Sequence, residues 1–481
     1  MLISLFAAMS MAMNARIIDY NTDDGFKYKL NTEEKTATLS RYSGSAKEVC
    51  IPDSITYSEE TFTVTYLGNS CFYNCTSLTS INIPTSVTSL GAGCFNGCTS
   101  LTSIDIPTSV TSFGNYCFYN CTSLTSIDIP TSVTSLGNYC FQNCTSLTSI
   151  DIPSSVTSLG LLCFKNCTSL TSIDIPSSVT SLEEYCFAYC TSLTSIDIPS
   201  SVKKLKWKCF AHCTSLTSID IPSSVTSLGH YCFSGCTSLT HIDIPSSVTS
   251  LDYCFYGCTS LTSINIPSSV TSLGFGCFQF CTSLTSIDLP SSITYLGHCC
   301  FEGCTSLTSI DIPSSVSLLG NHCFNGCTSL TSIVIPSSVQ SLGNECFRDC
   351  TSLTSINIPS LVEYIDKWCF RNCTSLKTMI CEISSVTLGT EHHSDFFEDT
   401  PIKQATLYVP ETSLESYKTT SPWSGFGKIL PISPDGIKKT TTDTETTIDA
   451  IYNLEGKRRN GIRSGINIIR MSDGTTKKVL K

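Results

Sequence analysis

Charge is the scarcest ingredient of this chain. Asp, Glu, Lys and Arg make up 14% of its 481 residues, little for a protein that must stay in water, so other polar side chains have to keep it there, and Ser and Thr fill those places. Cations are the scarcer sign. The formal net charge of −11 speaks against a nucleic-acid partner, because binding to phosphate draws on clustered Lys and Arg. Beyond residue 15 no run approaches the roughly 18 apolar residues that a membrane-crossing helix needs, so no transmembrane segment is expected there. The vocabulary of catalysis is missing as well. There is no Gly-x-Ser-x-Gly elbow and no Gly-rich phosphate loop. The 7 histidines are scattered, which leaves a Ser nucleophile without a positioned base. A non-enzyme is expected.

What the chain has in abundance is itself. Cys-Thr-Ser-Leu-Thr-Ser-Ile recurs unchanged from Cys75 to Cys350 in steps of 23 residues, with one step a residue short between Cys232 and Cys254. Worn copies at Cys236 and Cys373 bring the total to fourteen. A fixed period of this length is the signature of a solenoid, in which each unit contacts only its neighbours.

One unit, Leu78 to Cys98, shows why. Leu78, Ile81 and Ile83 follow the spacing of a leucine-rich repeat strand, and alternation sends Ile81 and Ile83 inward with Ser80 and Asn82 outward. Pro84 lacks the donor that would continue a ladder. Val87 and Leu90 return to the core, and Gly91 is read as permitting a turn. Cys94, Phe95 and Cys98 are then expected in a short helical or 3₁₀ turn, with both cysteines on one face. The fold class predicted is therefore an α/β solenoid, a leucine-rich repeat of 14 turns with one parallel strand per turn, closed by non-repeat β caps. Eight apolar positions per turn leave no turn able to stand alone.

The 31 cysteines admit three readings. Fourteen Cys-Phe-x-x-Cys pairs account for all but Cys50, Cys299 and Cys381. Disulfides suit an exported chain, but the total is odd, and side chains in files about 4.8 Å apart sit wider than the roughly 3.8 Å between Cβ atoms that a bridge prefers. A metal array lacks both the Cys-x₂-Cys knuckle and paired histidines; His212, His230, His298 and His322 lie near Cys residues but are scattered over three repeat positions. Small apolar filler of the core is the reading the residue type itself favours.

The unit resembles the 23-residue repeat of BspA-like leucine-rich repeat proteins of bacterial surfaces: a strand ending in Ile-Pro (Ile129-Pro130), a return from Val133 to Gly137, then Phe141 to Cys144. It departs in one file, where the family's small residue before Phe, usually Ala, is Cys in every repeat. The resemblance spans roughly residues 16–432. It implies a secreted or surface-held protein acting as an adhesin toward extracellular matrix and plasma proteins.

The rest of the chain divides around the repeats. Residues 1–15 (Leu2 to Ala15 apolar and small) read as the core of a secretory signal, although no Lys or Arg precedes Arg16. Residues 16–66 form an N-terminal cap, in which Phe62, Val64 and Tyr66 read as one face of a strand. The repeats run over 67–381. A C-terminal cap over 382–432 includes a strand at Thr406–Pro410, with Tyr417, Trp423 and Phe426 expected to seal the last turn. Residues 433–447 are a polar linker. Residues 448–481 alternate in short runs around a turn at Asp473-Gly474. From Gly436 onward there are 10 Lys or Arg against 5 Asp or Glu. This last segment resembles the C-terminal sorting segments of proteins exported by the type IX pathway, which implies delivery to the outside of the cell.

Two files are candidate binding surfaces. Asp105, Asp128, Asp151, Asp174, Asp197, Asp220, Asp243, Asp288 and Asp311 occupy the outward strand position, taken as a concave file. At about 5 Å in solvent each neighbouring pair repels by roughly 1 kcal/mol or less, which a basic protein segment would relieve, directly or through calcium. The alternative is that Asp only keeps the sheet soluble and discourages edge pairing. The second file precedes the first Cys of each pair and holds Tyr116, Tyr139, Tyr185, Tyr231, Tyr253 and Trp368. Such aromatics anchor interfaces or pack along the flank. The functions in view are adhesion to extracellular host or bacterial proteins, a structural surface spacer without a ligand, and a thiol-rich metal or redox buffer. No other cofactor is expected.

Overall fold

The computed structural model describes residues 17–384 and 396–432, and beyond them the strands Ile448–Tyr452, Arg458–Arg459, Ile466–Met471 and Thr476–Leu480. The chain divides into two units, Met1–Pro431 and Ile432–Lys481. The expected signal segment, 1–15, and the linker, 433–447, lie outside the described residues.

In the first unit each period makes one turn of a coil, and successive turns stack in parallel register. Two ladders record the stacking. One joins the return segments, from Leu67 with Leu90 through Leu182, Leu205 and Leu228 to Leu342 with Ile365. The other joins the strand positions. It begins with Val49 beside Ile81 and ends with Met379, Leu407 and Ile429. This second ladder has more rungs than there are repeats. Val49, Leu407 and Ile429 add turns at the ends, so the solenoid has about 17 turns instead of 14. The sequence around those three residues lacks the period, but each supplies an apolar residue in strand register. That is what covering the last repeat requires, so the caps are partly built from further turns.

The eight expected inward positions of the unit, Leu78, Ile81, Ile83, Val87, Leu90, Cys94, Phe95 and Cys98, are all buried. Down the centre the Phe file stacks nearly parallel, with centroids 5.3 Å apart at Phe72–Phe95 and 5.5 Å at Phe164–Phe187. The widest step, 5.9 Å at Phe233–Phe255, falls at the shortened repeat. There the hydrogen bond from Tyr231 N to Asp252 O stretches to 3.4 Å, yet the stack continues.

Ser and Thr do more than face water. Thr125 Oγ1 donates to Thr102 O at 3.2 Å, Thr168 Oγ1 to Thr145 O at 3.3 Å and Ser155 Oγ to Val133 O at 2.6 Å. Each bond reaches the carbonyl of the previous turn. Short uncharged hydroxyls can lie in the crowded seam between turns where long charged side chains cannot, which explains the scarcity of charge.

Two expectations are corrected. The Cys-Phe-x-x-Cys segment is a run of tight turns and not a helix. Cys94 N, Asn96 N and Cys98 N make the bonds of a 3₁₀-like turn, to Gly91 O, Gly93 O and Phe95 O, while the amides between them donate to the next turn, as Gly93 N does to Asn115 O at 2.7 Å and Phe95 N to Cys117 O at 2.8 Å. Left-handed residues at Gly93 and Gly97 (φ 62° and 78°) interrupt any helix, and the first unit holds one short α-helix, Leu414–Thr419, among the described residues. The architecture is a β-solenoid with little helix. Gly91, for its part, does not adopt a positive φ; a Cβ there would lie 2.6 Å from the backbone of Gly68 and Asn69 in the turn before. Close stacking demands the glycine.

The N-terminal cap is a sheet in which Ile17–Asn21, Phe26–Asn31, Thr36–Tyr42, Glu60–Leu67 and Ser54–Tyr57 lie side by side. Phe62 and Val64 are buried as expected, but Tyr66 is not. A register shift between Ala37 and Thr38 flips the alternation, and Leu67 takes the inward place. At the other end Phe397 stacks on Phe370 at 5.7 Å, and Trp423 meets Phe397 edge-on at 5.5 Å. Trp423, Tyr417 and Phe426 are all buried there, and Tyr417 Oη donates to Ile383 O at 3.0 Å. The second unit is a four-stranded antiparallel sheet in the order Arg458–Arg459, Ile448–Tyr452, Ile466–Met471, Thr476–Leu480.

Candidate functional site

The outward strand position makes an acidic file, unbroken from Asp105 to Asp243 and interrupted beyond it by Asn265 and Val334. Pro at the strand end and Ile on either side fix the direction of each Asp. Parallel pairing then sets Asp128, Asp151, Asp174, Asp197 and Asp220 beside one another in unbroken succession. Asp105 and Asp243 extend the row on either side, in the turns before and after. Farther on, Asn265 pairs with Asp288, and Asp311 pairs with Val334. All nine Asp are exposed. Among the described residues the one basic partner of the file is His241, whose Nε2 lies 3.2 Å from Asp243 Oδ1. No three His, Cys, Asp or Glu side chains gather into a metal-holding group among the described residues, and the file is a row of single carboxylates.

The flank file is built differently. Tyr116, Tyr139, Tyr185, Tyr231, Tyr253 and Trp368 all sit at φ between 50° and 59°, each turned out by the left-handed bend before the first Cys. Neighbours in the file stack: Tyr116 with Tyr139 and Tyr231 with Tyr253, both at 4.4 Å. Their rings face one another along the solenoid, so the edges meet solvent. Packing is thus visible along this flank, while the sequence expectation that it binds a partner remains open.

The cysteines are core. All 31 are free thiols, and Cys50, Cys75 and Cys299 alone escape full burial. In the second file each thiol donates to the Phe carbonyl of the turn before, as Cys121 Sγ does to Phe95 O at 3.1 Å and Cys144 Sγ to Phe118 O at 3.2 Å. Burial pushes Cys190, Cys236 and Cys304 up to about 12. Protonated, enclosed thiols are poor nucleophiles and poor ligands, which leaves a metal or redox buffer only Cys50, Cys75 and Cys299 as even partly accessible groups.

Sequence reasoning passed over the cations. Between Leu67 and Phe347 the only Lys or Arg are Lys165, Lys203, Lys204, Lys206 and Lys208. The signal was in plain view: Val202-Lys-Lys-Leu-Lys-Trp-Lys208 replaces the usual Val-Thr-Ser-Leu-Gly-x-Tyr. Lys206 Nζ pairs with Glu183 Oε2 of the preceding turn at 2.6 Å. Lys208 lies over the rings of Tyr185, Trp207 and Tyr231 at 5.5, 5.1 and 5.0 Å.

Comparison with known proteins fits this geometry. The family described as BspA type leucine rich repeat region matches over residues 48–171, 160–252 and 251–377. The chain belongs to the BspA-type leucine-rich repeat family. A leucine-rich repeat protein from Bacteroides ovatus is 30% identical with a TM-score of 0.68, the match covering 86% of this chain and 100% of that one. A leucine rich cell surface protein from Faecalibacterium prausnitzii is 32% identical with a TM-score of 0.49, over 70% of this chain and 94% of that one. No curated protein matches.

Proposed function

We propose that this BspA-type solenoid is a non-enzymatic adhesin, held at the outer cell surface or released, that binds basic segments of extracellular host or neighbouring bacterial proteins along its Asp file. The supporting observation is the in-register row of exposed carboxylates with a single basic neighbour at Asp243. Equivalent sites one turn apart raise avidity without strengthening any one of them. A basic partner is drawn in by the long-range field as well as by contact. Calcium is not part of the proposal, because the row offers no cage. The location outside the cell rests on the apolar segment at 1–15, on the sorting-like segment at 448–481 and on family membership.

The test is a variant with Asp128, Asp151, Asp174 and Asp197 all changed to Asn. Binding to immobilised matrix and plasma proteins, with polylysine as the basic reference, should weaken at least about tenfold and lose most of its salt dependence. The melting temperature should hold or rise, since like charges have been removed. Equal binding by variant and wild type would overturn the Asp file as the site, and no binding by either would leave the spacer reading in its place.

A further inference from the structure

The Asp file repeats one message at every turn. The four positions that differ most among otherwise near-identical turns all lie on the flank, before and between the paired cysteines. At one place there, lysines from two turns gather on one tyrosine; the other cation–aromatic group on this flank among the described residues, Trp368 with Lys367 at 4.0 Å and Arg371 at 5.9 Å, has its Arg371 paired with Glu398 and Asp399. Lys165 Nζ stands 5.2 Å from the Tyr185 ring and 5.7 Å from the Tyr189 ring. Lys208, two turns on, stands 5.5 Å from the Tyr185 ring. Tyr185 is therefore flanked by two ammonium groups. Trp207, one place before the Tyr file, meets Tyr185 at 5.0 Å with the planes 68° apart, where the pairs Tyr116–Tyr139, Tyr231–Tyr253 and Tyr253–Phe275 stack at 7–16° and Phe275–His298 tilts by 34°. The indole stands edge-on to its neighbour and is 42% exposed. Beside it Tyr189, also exposed, stacks on His212 at 4.6 Å. Burial, then the charge of Lys208, lowers the His212 pKa, so its ring is neutral at pH 7. Lys203 and Lys204 lie exposed on the same turn as Trp207.

We propose that this cluster, centred on Trp207, Lys208, Tyr185 and Lys165, binds an acidic polysaccharide, a chain of pyranose rings bearing carboxylate or sulfate groups. An acidic pyranose presents an apolar C–H face and an anion on one ring, and the cluster presents an exposed indole with Lys208 beside it and Lys165 over the adjoining tyrosines. An acidic peptide offers anions without such faces. The turn spacing of about 4.8 Å is comparable to the length of one linked pyranose, so a chain lying along the solenoid axis meets successive turns with successive sugars. The Asp file, on the strand face, repels such a polymer, and carboxylates of Glu398 and Asp399 already pair with Arg371 beside Trp368, which leaves the Trp207 patch as the favoured site. Glu184, exposed and one turn before Trp207 in the same file, weakens the site for an anion. This second surface is independent of the Asp-file proposal, and the four Asp→Asn changes should leave it intact.

Polygalacturonate, sulfated dextran, neutral dextran and polyglutamate serve as probes for the full chain, in titrations at low and moderate salt. Binding to polygalacturonate or sulfated dextran, or to both, is expected, and the two arms tell carboxylate from sulfate as the preferred anion. Neutral dextran and polyglutamate should bind at least about tenfold more weakly. Trp207→Ala and the pair Lys165→Gln with Lys208→Asn should each lose about tenfold or more. Asn keeps the left-handed backbone at position 208, and circular dichroism with the melting temperature checks folding. Glu184→Gln should tighten binding of the acidic glycans and leave neutral dextran unchanged. Any one of three results overturns the proposal: acidic glycans that bind no better than neutral dextran, folded variants that bind like wild type, or polyglutamate that binds as tightly as the glycans while Trp207→Ala has no effect.

Discussion

Each turn bends through two residues in the left-handed region, and the chain fills the two places in different ways. One file begins Asn74, Gly97, Asn120, Asn143 and Asn166, with φ between 56° and 78°, and is filled mostly by the residue types that reach this region most easily, with Tyr189, His212 and Phe280 as exceptions. The other holds Tyr, Lys, Leu and Trp, which usually avoid it and are kept there by the amide bonds to the next turn. Neither file was legible in the sequence, because hydrophobic period reports which way side chains point and is blind to the sign of φ. The eight inward positions were legible for the same reason. A pair of glycines separates conformation from space. Gly326 has φ 70° and no heavy atom within 3.6 Å of an added Cβ, whereas a Cβ on Gly137 would lie 2.5 Å from the Gly114 carbonyl carbon. Gly326→Ala should lose about 1 kcal/mol of stability, and Gly326→Asn should recover most of it. Gly137→Ala and Gly137→Asn should both lose about 1–3 kcal/mol, as Asn does nothing for a steric clash. Urea titration of the four variants checks this.

At the scale of one turn, no element exists that could fold alone. Its strand is two to four residues long where assigned at all, and many of its backbone donors and Ser and Thr hydroxyls, with its Phe ring, find their partners in adjacent turns. The repeat itself told of this stacking, but not that the caps join it: Val49, Leu407 and Ile429 continue the ladder from sequence with no period, since a capping turn needs only an apolar residue in register and polar residues beyond. In a stack of this kind stability is a sum over neighbouring pairs, so damage in the middle should divide the molecule. Phe210 lies 5.5 Å from Phe187 and 5.7 Å from Phe233. Phe210→Ala should lower stability by about 3–5 kcal/mol. It should also uncouple the two halves, so that hydrogen exchange shows turns before and after residue 210 opening with different free energies. Equal protection on both sides would mean that coupling reaches farther than the adjacent turn.

Across the whole molecule the two surfaces and the core obey different rules. The Asp face is uniform and was readable as a file from spacing alone. The Lys–aromatic patch is local, and a reading tuned to repetition averaged it away. The core carries the most consequential repetition. Twenty-eight of the 31 thiols are buried, and burial holds Cys163, Cys190, Cys236 and Cys304 up to about 12, with others higher still. In the unfolded chain a thiol ionises near about 8.5. Above that pH the unfolded state releases protons that the folded state keeps, so stability is full below the unfolded value and falls as pH rises toward the folded one. Each thiol contributes a loss of about 1.4 kcal/mol per pH unit in that window. Even a few thiols per turn acting together would exceed a stability of about 0.1 kcal/mol per residue within roughly two units. The solenoid should therefore hold a constant melting temperature from about pH 6 to 8 and unfold steeply between about pH 9 and 10.5. Far-UV circular dichroism under reductant would follow the transition. Replacing first-file cysteines such as Cys140, Cys163 and Cys186 with Ala, the residue the family resemblance suggests for that place, should move the transition upward even though each change removes a little packing. A fold that survives unchanged at pH 11 would show that the thiols are not the closed, protonated core described.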